Sequence, residues 1–80
     1  MNICRAVALR ISELLIKNNM TEYRLCKNSG LSSSRVNAIM HEKNKTITLT
    51  TTMLLAQGFN MSLIEFLDSP LFDYNNLEIE

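Results

Sequence analysis

From Ser33 to His41 the chain reads Ser-Ser-Arg-Val-Asn-Ala-Ile-Met-His. Val36, Ile39 and Met40 recur at helical spacing and mark a buried stripe, so Ser34, Arg35, Asn37, Ala38 and His41 project outward, with Ser33 at the N-terminal edge. These outward groups can read base edges. The Arg35 fork can address guanine O6 and N7 together, the Asn37 amide suits adenine, the serine hydroxyls donate or accept, and the Ala38 methyl can meet a thymine methyl. A second set suits phosphate. Lys43, Asn44 and Lys45 form a polar loop just beyond this segment, and Thr21 to Tyr23 open an earlier helix whose first amides point outward. Such contacts fix register and carry no sequence information. His41 falls in a terminal helical turn, where a histidine more often interacts with the helix dipole than acts as a catalytic base.

The elements that must position these groups are legible from Thr21 to Met40. Thr21 is a good N-cap, Leu25 anchors the first helix of the pair, and Gly30 can take the left-handed conformation that ends it. Leu31 fills the angle between the helices and Ser32 caps the second. This is a helix-turn-helix signature. A preceding helix is predicted from about Arg5 to Lys17, with Val7, Ile11, Leu14 and Leu15 inward, Arg10, Glu13 and Lys17 on the polar side, and Asn18-Asn19 ending it. A fourth helix is expected from Leu49 to Gln57, capped by Thr48 and terminated by Gly58, with Leu49, Met53, Leu54 and Ala56 as its apolar positions. The β-branched run Thr46 to Thr52 suits a strand equally well. Ser62 to Glu65 reads as a capping box with Met61 as staple, giving a short fifth helix to about Leu67. Pro70 then closes the domain. The expectation is an all-α, compact five-helix bundle over residues 1–69, followed by an acidic and apolar tail over 70–80. There are no internal repeats or low-complexity tracts.

Eighty residues, 46% of them apolar, allow one small core. The net charge of zero conceals a partition: all eight basic residues precede Ile47 with only three acidic ones, a net +5, and the remainder carries five acids, a net −5. That segregation points a positive N-terminal region at a polyanion. Glu22 is the exception, a carboxylate placed near a prospective phosphate. Cys4 and Cys26 both lie in helical patterns and are read as structural, Cys26 where the two helices of the motif approach; without a CxxC pair and with one histidine, neither a zinc site nor a disulfide framework is supported. No cofactor is expected. No glycine-rich phosphate loop or paired buried carboxylates are present either, so an enzyme has nothing to build on. The absence of a long apolar run and of a signal-peptide core implies a cytoplasmic protein.

At this point the chain resembles the phage repressor and Cro-like helix-turn-helix proteins, the XRE family. The resemblance runs from Arg10 to Leu67 and is carried by R-I-S-E-L-L at Arg10, M-T-E-Y-R-L at Met20, S-G-L-S at Ser29, and T-L-T-T at Thr48 leading to M-S-L-I-E-F-L at Met61. It implies a lambda-repressor-like five-helix domain that regulates transcription. Ser33, Ser34 and Ala38 match positions that touch base edges in the family, and Asn37 and His41 match positions nearer the backbone. Arg35 rests on its chemistry alone. Members often carry Gln where this chain has Glu22 and Ser33, and a small residue such as Ala where it has Cys26. One recognition helix reads too few bases for useful discrimination, so a homodimeric repressor on paired half-sites is expected. The alternative is a protein-interaction module, such as an antitoxin or anti-repressor partner, acting through the C-terminal tail. Leu63, Phe66, Leu71, Phe72 and Tyr74 could form a two-fold interface, or Leu71 and Phe72 could fold back on their own core.

Overall fold

In the computed structural model, which describes residues 1–78, the element order is α1 (Ile3–Lys17), α2 (Glu22–Ser29), α3 (Ser33–Met40), α4 (Leu49–Gly58) and α5 (Leu63–Leu67). Two single-turn 3₁₀ helices follow, Pro70–Phe72 and Tyr74–Asn76. No strand occurs among the described residues, and none of their helices is long and apolar enough to cross a membrane. Every α-helix starts on a side-chain cap, and those caps explain the boundaries. Asn2 accepts from Arg5 N at 2.8 Å, so α1 starts at Ile3, two residues earlier than expected. Asn19, at φ 51°, turns the chain out of it. Thr21, Ser32, Thr48 and Ser62 cap the other four, and Ser62 with Glu65 completes a reciprocal capping box. The threonine run therefore resolves as helix from Leu49 onward.

The core is built by Val7, Ile11 and Leu14 of α1, Leu25 of α2, Leu31 of the turn, Val36 and Ile39 of α3, Leu55 and Ala56 of α4, and Phe59 and Phe66. Two expectations for α4 require correction. Its buried side is Thr51, Thr52, Leu55, Ala56 and Gly58, whereas Leu49 and Met53 are exposed. Gly58 is the last residue of the helix, with Phe59 as its C-cap, and does not take the left-handed conformation; an added Cβ would meet Leu25 Cδ1 at 2.7 Å and Ser29 Cβ at 3.0 Å. Small residues on this side let α4 lie close against α2, an approach also marked by the Asn28 amide donating to Gly58 O at 3.3 Å. Asn60, at φ 58°, makes the turn instead.

Arg10 leaves the polar side assigned to it. Its guanidinium donates to Phe66 O at 2.8 Å and Glu65 O at 2.9 Å while pairing with Glu13 at 2.6 Å, and so caps the C-terminal carbonyls of α5 from α1. The segment after Pro70 folds back. Phe72 packs on Phe66 with ring centroids 6.2 Å apart, Glu78 N donates to Met1 O at 2.8 Å, and the N-terminal ammonium donates to Asn76 O at 3.0 Å. Phe66 is fully buried by its own chain, which removes it from any two-fold surface. The last two residues of the expected tail lie outside the described residues.

Candidate nucleic-acid interface

The turn between α2 and α3 is held by local bonds. Gly30, at φ 78°, occupies the left-handed region that a side chain would strain, and its N–H donates to Cys26 O at 3.0 Å. Leu31 enters the core while its N–H donates to the hydroxyl of buried Ser29 at 3.2 Å. Ser32 then accepts from Arg35 N at 3.2 Å and starts α3 at a fixed angle. With Val36 and Ile39 seated in the core, α3 leaves Ser33, Ser34, Arg35, Asn37 and His41 exposed and Ala38 half-buried. Cys26 is half-buried against the core, as a small packing residue of the motif.

The structure brings part of the expected site around one cleft of about 330 Å³ between α3, the following loop and the first turn of α4. Ser34, Arg35, Ala38 and Asn44 line it together with Thr48 and Thr51. Ser33, Asn37, His41, Lys43 and Lys45 stand exposed outside it. Thr21 and Tyr23 are exposed at the start of α2, with the Thr21 hydroxyl already accepting from Arg24 N at 3.1 Å. His41 is the C-cap of α3, and its N–H donates to Asn37 O at 3.0 Å.

Arg35 is tethered. Its Nη2 donates to Thr51 Oγ1 at 3.0 Å, and Thr51 Oγ1 also accepts from the Thr48 hydroxyl at 3.0 Å. The bond reaches from α3 to the first turn of α4. The guanidinium keeps its remaining N–H donors free, so it is oriented rather than consumed. The sequence marks Thr48 as a helix cap and Thr51 only as one of a β-branched run. A hydroxyl at a helix start carries no signal in sequence that an arginine sixteen residues earlier will find it.

The electrostatics are sharper than the sequence partition. Arg5 pairs with Glu42 at 3.3 Å and Arg10 with Glu13, while Lys17, Arg24, Lys27, Arg35, Lys43 and Lys45 have no ion pair among the described residues. All but Lys17 lie on α2, α3 or the loop after α3. Lys27 sits 5.4 Å from the centroid of the exposed Tyr23 ring, a cation–π contact that keeps its charge at the surface. Glu22, in the first turn of α2, is the acid of this surface and is exposed. Burial, and secondarily the Glu42 carboxylate, push the Cys4 thiol up from its ordinary range.

No curated protein and no solved structure matches the chain. A family model described as the Cro/C1-type HTH DNA-binding domain matches residues 1–70, most of the sequence. A capped helix pair, a polar face on its second helix and unpaired cations around that face accord with that match, and the chain belongs to the Cro/C1-type HTH DNA-binding domain family.

Proposed function

We propose that this DNA-binding domain acts as a sequence-specific transcriptional regulator, a cytoplasmic homodimeric repressor whose α3 enters the major groove. The observation that carries the reading is the confinement of the cations that have no ion pair among the described residues: five of the six lie on the helix pair and its following loop. Ser33, Ser34, Arg35, Asn37 and Ala38 face base edges. Thr21, Tyr23, His41, Lys43, Asn44 and Lys45 meet the backbone on either side.

Selection of binding sites from random duplex tests this directly. The expected product is a pair of half-sites related by two-fold symmetry, with centres about 10 base pairs apart or a multiple of that. No enriched sequence would overturn the reading. On the selected site, a dimer that neutralises about three phosphates per subunit has a log-log salt slope of roughly −5. If Lys43 and Lys45 both meet phosphate in each subunit, replacing the two with Ala flattens that slope to roughly −2 and weakens all sequences alike. An unchanged slope removes the loop from the interface.

A further inference from the structure

We infer that the outward side of α4, centred on Leu49 and Met53, is where two copies of this chain meet when both stand on one duplex; the inference rests on the DNA-binding reading above and adds the surface that pairs. Leu49 is 70% exposed and Met53, one turn later on the same side, is 55% exposed. Both project away from the buried side that packs on α2. Helix α4 reads Leu-Thr-Thr-Thr-Met-Leu-Leu-Ala-Gln-Gly and is the one α-helix of the described residues with no charged side chain.

That absence of charge bears on the identity of the partner. Around a two-fold axis each residue meets, or nearly meets, its own copy, so a charge near the axis repels itself. A charge-free apolar strip is self-compatible. A different protein partner would be selected by complementary charges, which this strip cannot offer. A lipid surface favours helices with lysine or arginine on the polar side, and α4 has neither.

The extent of the strip fixes when pairing occurs. A ten-residue helix is about 15 Å long and about 10 Å across, so its outer side covers far less than the roughly 800 Å² per partner of a standard stable interface. Such pairing is too weak to hold a dimer at micromolar concentration. It becomes effective when adjacent half-sites raise the local concentration into the millimolar range. The first turn of α4 is also tied to α3 by the Arg35–Thr51 bond, so the strip keeps a fixed place beside the recognition helix.

The test uses the full chain on duplexes carrying one or both selected half-sites. Wild type is expected to be monomeric in sedimentation at micromolar concentration and to bind the second half-site at least tenfold more tightly than the first. Met53→Glu and Met53→Lys should each lose that enhancement. An equimolar mixture of the two should regain it, because opposite charges now face each other across the axis. Ile64→Glu, at the exposed side of α5, should keep it. Enhancement that survives both Met53 variants, or loss in both with no recovery on mixing, overturns the α4 strip. Independent filling of the two half-sites by wild type overturns it too while leaving DNA binding intact. No binding to any duplex overturns the DNA-binding reading itself.

Discussion

Replacing Arg35 with Ala separates two roles that its position allows, one in holding α3 against α4 and one in reading a base. The Nη2 donor lies 3.0 Å from Thr51 Oγ1, and Thr51 is 5% exposed, so one end of this charge-assisted bond is dry. Bonds to charged groups are worth about 1.5–3 kcal/mol, and because Arg35 itself is exposed, competition with water brings the figure below that range, to about 1 kcal/mol. Thr51 is not orphaned by the change, since the Thr48 hydroxyl still donates to it. At roughly 2.1 cal/mol/K per residue, a chain of 80 residues unfolds with about 170 cal/mol/K, and a loss of 1 kcal/mol lowers Tm by about 6 °C. A double-mutant cycle with Thr51→Val should recover a coupling of about 1 kcal/mol. Reading guanine is a different quantity. It contributes about 1–3 kcal/mol at one base pair of each half-site and appears as lost preference there, whereas a purely positioning arginine weakens every sequence evenly. Thermal unfolding followed by circular dichroism, together with a panel of single-base site variants at fixed salt, reads both. An unchanged Tm and no coupling to Thr51 would refute the tether. A mutant that keeps the wild-type ranking of the panel would leave Ser33, Ser34 and Ala38 as the base readers.

Gly58→Ala should destabilise by about 0–2 kcal/mol in urea titration, because a helix-propensity gain of about 1 kcal/mol is set against overpacking of about 1–3 kcal/mol where Leu25 and Ser29 leave no room. A net gain of 1 kcal/mol would show that Leu25 yields freely. Gly30→Ala meets no atom within 4 Å but must hold φ near 78°, and should cost about 1–2 kcal/mol through backbone strain alone. The bonds to Ser62 hold the Glu65 carboxyl below its ordinary value, so its stabilising contribution is present above about pH 4.3 and is lost as pH falls through the lowered value. Glu65→Gln should flatten the stability profile in that acid window, and an identical profile would dismiss the capping box as a pH-dependent contributor. With its thiol buried and its ionisation pushed up, Cys4 should react with a disulfide reagent at neutral pH well after the half-buried Cys26. Equal rates would contradict the burial of Cys4.

What could be read in the sequence was local. Thr21, Gly30 and Ser32 act within four residues of their partners, so residue type and spacing contain the turn between α2 and α3. The same holds for Ser62 and Glu65. Contacts between distant segments were not legible. Arg10 looked like a solvent-facing residue of an amphipathic helix, and only the docking of α5 puts two carbonyls fifty-five and fifty-six residues away within its reach. Gly58 carried a helix-stop signal that is sound in isolation, yet the close approach of α2 gives it a different task. Leu49 and Met53 count as apolar positions of α4 in the sequence yet are exposed, because hydrophobicity alone cannot say which of several uncharged sides of the helix is buried.

Net charge shows the same division between local and distant information. The positive half of the sequence contains cations of two kinds that composition cannot distinguish. Arg5 and Arg10 are engaged within the chain, one pairing at the surface with Glu42 just past α3 and the other capping α5. Arg24, Lys27, Arg35, Lys43 and Lys45, on α2, α3 and the following loop, have no ion pair among the described residues, and Arg35 alone of them is bonded across to another helix. A surface that merely solvates itself would be expected to mix signs, since like charges close together repel. Two acids interrupt this one: Glu42 is paired with Arg5, and Glu22 stands without an ion pair among the described residues at a helix start where its dipole interaction stabilises α2. Glu22→Gln should therefore strengthen binding to every duplex by a similar factor, most at low salt, while slightly weakening the helix. A change that depended on base sequence would instead place Glu22 against a base edge rather than a phosphate.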